Sequence, residues 1–505
     1  MSTMKELKYM KRLKRVLSCL LLCALLAGLL TLPASALSDV PEDFWAKEDI
    51  DRCVALRYFY PESDGSFGVG KEMSRAEFLV VLCRALGWKP TSPARAVYDD
   101  VSEKEWYAGA IETAFRQGAI TAQDGSFRPD ALITRSEAAS MLVRALGYGS
   151  VAGLIQDMSL PFRDVKANNG YIVMAYGMGL MDGTSVTAFS PEGHVTREQA
   201  AAILMRLYDK LHDPTTSRVG ITGSMENLPD LKGYEAVGIA AAKLTYNGEP
   251  QVSVSMSDKE SLTLRNAVSA AGAKALLYVT GGGYHIREGD AEKLAAMLLQ
   301  AVEDGRYDGL FLEVSGLTTV SQRDVLTALA QLLREGLEDR PLYVGAEAPS
   351  WKGTIFGYDY AALGEAADRL VLRFDHKKET AAGRTVAPLE PLEQVYYALN
   401  RLRGVVDADK LTLLLTSTAA YWDSRTPTAV TGEELAVIQE ELGARVHYSD
   451  RYASAYLTRE TGPDIWYHSG QSIRERTQLA RLFGGGHLCL SDLNHALPEI
   501  LEAMP

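Results

Sequence analysis

The spacing of apolar residues changes at residues 213–220. Before this stretch, apolar residues recur three and four positions apart, as in Phe78, Leu79, Leu82 and Leu86, and this spacing predicts amphipathic helices. After it, short apolar runs alternate with helical patterns over about 285 residues, which predicts a (β/α)8 barrel. The predicted strands are Ala236–Ala241, Ala275–Val279, Gly309–Val314, Leu342–Ala346, Arg369–Arg373, Leu411–Thr416 and His487–Leu490. The predicted helices between them include Asp290–Glu303, Arg323–Gly336, Leu392–Leu402, Thr431–Leu442 and Ser472–Phe483.

A unit of about 60 residues occurs three times before residue 213. Each copy opens close to an aspartate followed by valine, continues through a loop rich in Gly, Asp and Pro, and closes with a helix that begins at an arginine. The aspartates are Asp39, Asp100 and Asp164. The arginines are Arg75, Arg135 and Arg197. Each copy is therefore one supersecondary unit, predicted as helix, loop and helix.

Two features predict where the helices of each unit lie. A Ser or Thr precedes the arginine, and a Glu or Gln stands three residues after that Ser or Thr, which is a capping box. The pairs are Ser74 with Glu77, Thr134 with Glu137, and Thr196 with Gln199. The first helix of each unit carries aromatic residues, among them Trp45, Trp106, Tyr107 and Tyr171.

This threefold pattern resembles the S-layer homology domain, a family in which three tandem copies are usual. The copies span residues 37–90, 91–150 and 151–212. The resemblance implies an all-α module that binds secondary cell-wall polysaccharide on the bacterial cell surface. An arginine fork beside helix N–H groups suits a carboxylate ligand, so Arg75, Arg135 and Arg197 are the candidate wall-polymer-binding residues. The alternative is that these arginines only pair with their acidic neighbours.

The first 36 residues have the layout of a secretory signal peptide. Residues 5–15 are basic, residues 16–32 carry no charge, and Ala34, Ser35 and Ala36 provide the small residues of a cleavage site. We expect cleavage after Ala36 and a secreted protein in the cell wall. An uncleaved anchor helix is the alternative, since 17 apolar residues barely span a bilayer.

Charge and cysteine content narrow the function further. The net charge is −13, and an acidic surface repels phosphate backbones, so we expect no nucleic-acid partner. Of the five cysteines, Cys53, Cys83 and Cys489 follow residue 36, and their apolar surroundings predict buried free thiols, with a Cys53–Cys83 bridge left open. No Cys/His cluster has zinc-ligand spacing. No metal, no cofactor and, after signal cleavage, no membrane contact is therefore expected.

Residues 221–505 follow a polar linker at 213–220 and resemble glycoside hydrolase family 18, in the branch that acts on peptidoglycan in spores and cell walls. The segments that carry the resemblance are Tyr307–Leu317, Tyr358–Asp375, Thr385–Leu399, Lys410–Asp423 and Ile465–Gly486. The resemblance implies a TIM-like α/β barrel. In such a barrel the chemistry lies at the C-terminal ends of the strands.

The catalytic motif of that family is degenerate here. It reads D-G-x-x-x-D-x-E, and its last Glu protonates the glycosidic oxygen, whereas this chain has Asp308, Glu313 and Ser315 at the three acidic positions. A serine hydroxyl has no accessible pKa for general-acid catalysis. The family's tyrosine–aspartate pair reads Phe374 and Asp375, and the last strand lacks the usual tryptophan. We therefore expect a pseudoenzyme, with hydrolysis through Glu313 or Asp375 as the alternative.

Aromatic residues near the predicted strand ends are candidates for stacking on sugar rings. They are Tyr421, Trp422 and Trp351, with Tyr284 and Tyr343 as further members of the set; the alternative is that they pack in the core. The sequence thus predicts a cell-surface protein anchored by its repeats, displaying a non-catalytic barrel that binds wall glycan, with peptidoglycan as a further partner. The competing prediction is a wall-anchored hydrolase of N-acetylglucosamine polymers such as peptidoglycan or a chitin-like polymer. The oligomeric state is left open.

Overall fold

The structure is a computed structural model of the 505-residue chain. It describes residues 37–92, 96–122, 125–166, 169–212, 216–350, 357–374, 379–381, 384–422, 427–441, 445–459 and 462–505. The predicted signal peptide therefore lies outside the described residues. Within these ranges, no helix combines the length and the apolar character needed to cross a membrane.

The described part of residues 37–212 forms short helices arranged as three repeats. They are α1 (Lys47–Ala55), α2 (Arg75–Ala85), α3 (Ala108–Arg116), α4 (Arg135–Ala145), α5 (Gly149–Leu154), α6 (Asn169–Gly177) and α7 (Arg197–His212). The capping boxes predicted before α2 and α4 are confirmed, since Ser74 and Thr134 each accept the N3 backbone N–H and Glu77 and Glu137 each bond back. A cap of this kind is worth about 1 kcal/mol. Before α7, the Thr196 N–H reaches Gln199 Oε1 at 3.5 Å.

The aspartate that opens each repeat clamps the loop that precedes the second helix. The carboxylate of Asp39 accepts the backbone N–H groups of Phe67, Gly68 and Val69 at 2.6, 2.7 and 2.7 Å. In the other two repeats the same bonds join Asp100 to Phe127 and Arg128, and Asp164 to Phe189 and Ser190. The aspartate recurs in the sequence because its carboxylate holds the backbone of this turn in every repeat.

Antiparallel β-bridges join the repeats into a cyclic order. They pair Glu72 with Thr196, Ser74 with Leu132, and Thr134 with His194. Each bridge takes its two residues from different repeats, so every repeat touches both others. The expectation of an all-α module is therefore not confirmed, because backbone pairing as well as helix packing holds the ring together.

Eight parallel strands close a barrel in the remainder of the chain. They are β1 (Arg218–Thr222), β2 (Tyr234–Tyr246), β4 (Lys274–Gly282), β5 (Gly309–Ser315), β6 (Leu342–Glu347), β7 (Arg369–Arg373), β10 (Leu411–Leu415) and β16 (His487–Leu490). Strand β1 pairs with β2 on one side and β16 on the other, which closes the sheet. Seven of these strands were predicted. The linker prediction was wrong at its end, because residues 218–220 belong to β1.

Helices and smaller sheets surround the barrel. The helices are α8 (Asp258–Ala270), α9 (Ala291–Asp304), α10 (Val320–Leu337), α11 (Tyr360–Ala366), α12 (Leu392–Leu402), α14 (Gly470–Leu482) and α15 (Pro498–Ala503). Strand β3 (Pro250–Val254) runs antiparallel to β2. Between β7 and α12 lies the hairpin of β8 (Glu379–Ala381) and β9 (Arg384–Val386). An antiparallel sheet follows β10 and consists of β11 (Ala419–Tyr421), β12 (Thr428–Val430), β13 (Arg445–Ser449), β14 (Ser454–Thr458) and β15 (Ile465–Tyr467), with helix α13 (Gly432–Glu441).

Alternation along each strand separates the inside of the barrel from its outside. Phe311, Tyr343, Val371, Leu414 and Cys489 form one buried cluster inside the barrel. Their strand neighbours, such as Leu310 and Leu312, pack outward in the larger core beneath the helices. At the N-terminal end of the barrel, Glu235 accepts hydrogen bonds from Arg369 and from the Tyr343 hydroxyl. The opposite, C-terminal end of the strands forms the barrel mouth.

Candidate functional sites

Three grooves lie between the repeats, one at each junction. Their cavity volumes are about 230, 180 and 200 Å³. The first groove is lined by Arg75 of one repeat and by Tyr98, Phe127 and Glu137 of the next. Arg135 and Arg197 line the second and third grooves in the same way. The three predicted wall-polymer residues thus stand at equivalent places in three separate grooves.

Each of these arginines also ties its own repeat to the following one. The Nε groups of Arg75, Arg135 and Arg197 donate to the carbonyl oxygens of Phe127, Phe189 and Phe67, at 2.8, 2.8 and 2.7 Å. Each guanidinium lies over the ring of that same phenylalanine, at 5.0, 4.7 and 5.0 Å from its centroid. Such a contact between a cation and an aromatic face is favourable. Truncating one of these arginines would therefore loosen the ring of repeats as well as alter a groove.

The helix N-terminal N–H groups beside these arginines bond within the protein. Arg75 N donates to Ala131 O at 2.9 Å, Arg135 N to Gly193 O at 2.8 Å, and Arg197 N to Lys71 O at 3.0 Å. Each accepting carbonyl belongs to the neighbouring repeat. The anion-binding contribution that the sequence analysis expected from these backbone groups is thus already used by the fold. The guanidinium groups are engaged as well, since Arg75 and Arg197 lie 2.6 and 3.7 Å from the carboxylates of Glu137 and Glu62, as the alternative of acidic pairing expected, and Arg135 donates to Asp182 O.

A second arginine completes each groove. Arg144, Arg206 and Arg84 line the first, second and third grooves, and each comes from the repeat opposite the first arginine. Sequence analysis missed these residues. The sequence does contain a pattern that identifies them. Each of these second arginines lies nine positions after Arg135, Arg197 or Arg75 in its own repeat. Every groove therefore combines the arginine that opens one helix with an arginine nine positions into the helix of another repeat.

Exposed tryptophans form the rim of two grooves. Trp45 lines the groove of Arg135 and is 62% exposed, and Trp106 lines the groove of Arg197 and is 63% exposed. Both indoles therefore have a solvent-accessible face at the edge of a groove. The sequence analysis placed both residues at the first helices of their repeats and assigned them no ligand role.

At the barrel mouth, the carboxylate of Glu313 is held on both oxygens. Arg373 Nη1 donates to Oε1 at 3.1 Å, and the Tyr278 hydroxyl donates to Oε2 at 2.7 Å. Glu313 itself is 7% exposed. Burial lowers the pKa of Arg373, but the charge and hydrogen bond of Glu313 outweigh that effect and raise it overall. Glu313 therefore forms an internal ion pair, and both of its carboxylate oxygens accept hydrogen bonds from the protein rather than from a ligand.

Ser315 and Glu347 stand side by side at the ends of neighbouring strands. Ser315 is the last residue of β5, and the N–H of Gly316, the next residue, donates to Glu347 Oε1 at 2.8 Å. Glu347 is the last residue of β6 and pairs in register with Arg373 of β7. A carboxylate thus lies beside the position where Ser315 replaces the expected acid, although on the adjacent strand. Sequence analysis missed Glu347 because strand register decides that neighbour.

Tyr284 is the exposed aromatic residue beside this mouth. It lies in the 3-10 turn Gly283–His285 that follows β4, is 72% exposed, and contacts the His285 ring at 3.9 Å between centroids. Gln322 of α10 fixes the turn through a bond to Gly283 O at 2.9 Å. Tyr284 therefore offers an aromatic face on an anchored turn next to the end of β5.

Several predicted site residues lie elsewhere. Asp308 precedes β5, and its carboxylate accepts the N–H of Ala275 at 2.8 Å, at the N-terminal end of the barrel. Seven residue steps separate it from Ser315, roughly 23 Å at 3.3 Å per residue, so the structure does not bring Asp308 together with Glu313 and Ser315. Phe374 packs at 5% exposure in the core beneath the helices, which places its ring away from the mouth. Asp375 and Trp351 lie outside the described residues.

The predicted stacking residues are mostly buried. Trp422 is 3% exposed in a cluster with Ala420 and Trp466, and Tyr343 is 2% exposed inside the barrel, so neither offers a face to a sugar. Both stacking assignments were wrong, because Trp422 packs into the small antiparallel sheet and Tyr343 points into the barrel near its N-terminal end, where it bonds Glu235. Tyr421 is half-buried, with the guanidinium of Arg459 5.1 Å from its ring centroid.

The three cysteines are free and buried, as expected. The Cys53 and Cys83 thiols contact different backbone carbonyls, those of Ala201 and Ala110. Burial raises the pKa of both thiols to about 12. In the part of the chain that the structure describes, no group of three or more His, Cys, Asp or Glu side chains is arranged to hold a metal ion.

Comparison with known proteins identifies the repeats. The S-layer homology domain family matches residues 36–79, 97–139 and 161–201, so the chain carries three S-layer homology domains. An exoglucanase of Acetivibrio thermocellus is 29% identical over 175 residues, covering 34% of this chain and 16% of that protein. An S-layer protein of Bacillus thuringiensis subsp. finitimus is 27% identical over 202 residues, covering 38% of this chain and 24% of that protein. The chain spans about a quarter or less of these relatives, and the matches place it at the cell surface or cell wall.

Solved structures resemble the second part of the chain. A chitinase of Chromobacterium violaceum is 17% identical, with a TM-score of 0.48 and coverage of 57% of this chain and 97% of that one. The spore cortex-lytic enzyme SleL of Bacillus megaterium is 12% identical, with a TM-score of 0.48 and coverage of 66% and 81%. At such values the barrel is established by its own closed strand order rather than by these likenesses.

Proposed function

We propose that the chain is an exported protein held non-covalently on secondary cell-wall polysaccharide by the grooves between its repeats, and that its barrel binds wall glycan without cleaving it. The anchoring rests on one observation above all. Three equivalent grooves each contain a pair of arginines at matching positions of two different repeats, with Arg128 as a third arginine in the first groove, and two of the grooves carry an exposed tryptophan on the rim.

This arrangement fits a polymer that carries carboxylate groups. Paired guanidinium groups bind carboxylates through charge-assisted hydrogen bonds, and an indole face packs against the apolar face of a sugar ring. Three grooves on one ring also give multivalent attachment, so that a modest affinity in each groove becomes firm retention on a repeating polymer. A phosphate backbone of nucleic acid is a poor alternative ligand, because the net charge of the chain is −13.

Sedimentation of the full chain with purified sacculi tests the anchoring. Arg84 and Arg206 are the arginines to change, because they line grooves without making the inter-repeat bonds of Arg197 and Arg135. The variant with Arg84→Ala and Arg206→Ala should bind at least tenfold more weakly, since each charge-assisted bond contributes about 1.5–3 kcal/mol. Arg451→Ala, an exposed arginine in the turn between β13 and β14, is the matched control.

Two further arms sharpen this test. Removing the non-peptidoglycan polymer from the sacculi should weaken sedimentation of the unaltered chain at least tenfold, and the remainder, which comes from the barrel, should fall further in Tyr284→Ala. Trp45→Ala with Trp106→Ala should weaken binding to intact sacculi, and should have no effect on sacculi from which the polymer has been removed. If neither the double arginine change nor polymer removal weakens sedimentation, anchoring through the grooves is contradicted.

The proposal for the barrel rests on the state of Glu313. Both of its carboxylate oxygens are bonded inside the protein, and Ser315 stands where an acid is needed. Tyr284 supplies an exposed aromatic face beside them. Incubation of the full chain with peptidoglycan fragments and chito-oligosaccharides should therefore show binding that Tyr284→Ala weakens, with no release of reducing ends.

A second candidate function is hydrolysis, and one observation favours it. Glu347 brings a carboxylate next to Ser315 from the adjacent strand, where it would stand in for the missing acid. If the unaltered chain releases reducing ends and Glu347→Gln lowers that rate by about 10²–10⁴-fold, the range of general-acid catalysis, the barrel is an enzyme. Glu313→Gln is the matched control, since it removes a carboxylate that is already paired.

A further inference from the structure

The repeats and the barrel contact each other through hydrogen bonds at the ends of helices. Helix α6 of the third repeat ends at Gly177, and its last turn faces barrel helix α12. The Tyr396 hydroxyl donates to Val173 O at 2.7 Å, and Tyr396 is fully buried. Just after α12, Arg403 Nη1 donates to Tyr176 O and Gly177 O at 2.7 and 3.2 Å.

The barrel therefore adds donors at the end of α6, where Tyr176 O already accepts the Gly179 N–H at 2.9 Å and Gly177 O accepts from Arg403. The last four carbonyls of any helix lack a partner within the helix. A cation at that end is also favoured, because the helix dipole is negative there. Arg403 provides both the donors and the charge from a different domain.

A second helix of the repeats ends on the barrel in the same manner. Gln478 of α14 donates to the carbonyl of Leu146, the residue that closes α4, at 3.0 Å. Next to it, the Tyr148 hydroxyl donates to Glu475 O at 3.2 Å, and Tyr148 is 1% exposed. Two helix ends, from the second and third repeats, are thus completed by two neighbouring barrel helices.

Gly177 marks how close this approach is. A Cβ atom there would lie 2.2 Å from Tyr396 Oη and 2.7 Å from Asn400 Oδ1, so another residue fits only if these two side chains of α12 shift. Gly153, in α5 of the same repeat, has nothing within 4 Å of the equivalent Cβ position. A glycine in a helix costs stability relative to alanine, and at position 177 the docked barrel is what requires it.

We propose that the barrel acts as the structural partner of the wall-anchoring repeats, completing the second and third repeats so that anchor and barrel fold and open as one unit. This role requires neither catalysis nor glycan binding by the barrel, and it gives a function to a barrel whose acid position is occupied by serine. The barrel is then presented on the wall in one fixed orientation rather than as a freely tethered domain.

Hydrogen exchange of the full chain tests the coupling, with Gly177→Ala and Gly153→Ala as a matched pair. Gly177→Ala should speed exchange about tenfold or more in α6 and equally in α12, because a change in a repeat must open the barrel helix docked on it. Gly153→Ala should leave α12 unchanged and slow exchange in α5, since alanine is the better helix former.

Arg403→Ala provides a second route in case Gly177→Ala fails to fold. It removes an exposed side chain from the barrel and leaves both cores intact, so it should speed exchange in α6 of the repeats. If Gly177→Ala instead slows exchange in α6, or if Arg403→Ala affects barrel peptides alone, the two parts are independent and the inference is overturned.

Discussion

The aspartate clamp of the repeats leads to a quantitative test. In Asp39→Ala, the backbone N–H groups of Phe67, Gly68 and Val69 lose a carboxylate that accepts them at 2.6–2.7 Å. A hydrogen bond to a charged group contributes about 1.5–3 kcal/mol. Asp39 is half-exposed, and water will replace part of the loss, so we expect a total near 2–4 kcal/mol rather than the full sum of three bonds.

Thermal unfolding of the full chain, followed by calorimetry, measures this loss. With an unfolding entropy of about 2.1 cal/mol/K per residue, a unit comprising both the repeats and the barrel loses about 1 °C in melting temperature for about 1 kcal/mol, so Asp39→Ala should lower it by roughly 2–4 °C. Asp64→Ala is the control, because Asp64 bonds only to the nearby Ser66. Equal melting temperatures for the two variants would refute the clamp as the reason that the aspartate recurs in every repeat.

The pH dependence of the same clamp has a defined sign. Burial raises the pKa of Asp39, but the three backbone N–H groups outweigh it and hold the pKa below its usual value. A carboxylate with a lowered pKa stabilises the fold fully above its ordinary pKa, and the contribution is lost as the pH falls through the folded value. The difference between the unaltered chain and Asp39→Ala should therefore shrink in acid.

Three further predictions concern the barrel and the thiols. Burial opposes ionisation of Glu235, but hydrogen bonds from Arg369, Tyr343 and Ser217 lower its pKa to about 2. Glu235→Gln should therefore lower the free energy of unfolding by on the order of 2 kcal/mol at neutral pH, after allowance for the partial exposure of Glu235. In urea unfolding, this loss of stability should disappear as the pH falls from about 4.5 to 2. Because burial raises the pKa of Cys53 and Cys83 to about 12, a thiol reagent should label them only in denaturant, and labelling of the native chain would disprove their burial. Ser315→Glu alone should release no reducing sugar from chito-oligosaccharides, because Glu313 stays bound to Arg373 and Tyr278; rapid turnover in this variant would show that the acid was the single missing group.

Local patterns predicted the elements of this protein well. The repeats, two of the three capping boxes and seven of the eight barrel strands follow from residues close together in the sequence, where helix caps and apolar spacing act. The first strand, Arg218–Thr222, escaped prediction because its five residues begin within a polar stretch and carry too few apolar positions to stand out. Its assignment needs the barrel, since the strand is defined by pairing with β2 and β16.

The sites were harder to predict, for a geometric reason. A sequence motif supplies Arg75, but only the packing of one repeat on the next brings Arg144 into the same groove. The position of Trp422 after a strand predicted that its ring stacks on a sugar. In the structure Trp422 is buried by a sheet whose other strands come from later in the chain. The accessibility of a side chain depends on contacts with segments that are distant in sequence. The spacing of apolar residues does not predict which distant segments make those contacts.

The sequence by itself determined that the chain has three S-layer homology repeats followed by an α/β barrel, and it predicted serine at the acid position of the motif that the barrel resembles. Short-range forces are sufficient for this, because caps, turns and alternation act over a few residues. The tertiary structure decided that Glu313 is paired with Arg373, that Glu347 stands beside Ser315, and that Tyr396 docks against Gly177. These contacts depend on strand register and on how closely the two domains approach each other. Burial then favours the paired arrangement, because a buried polar group without a hydrogen-bond partner destabilises the fold.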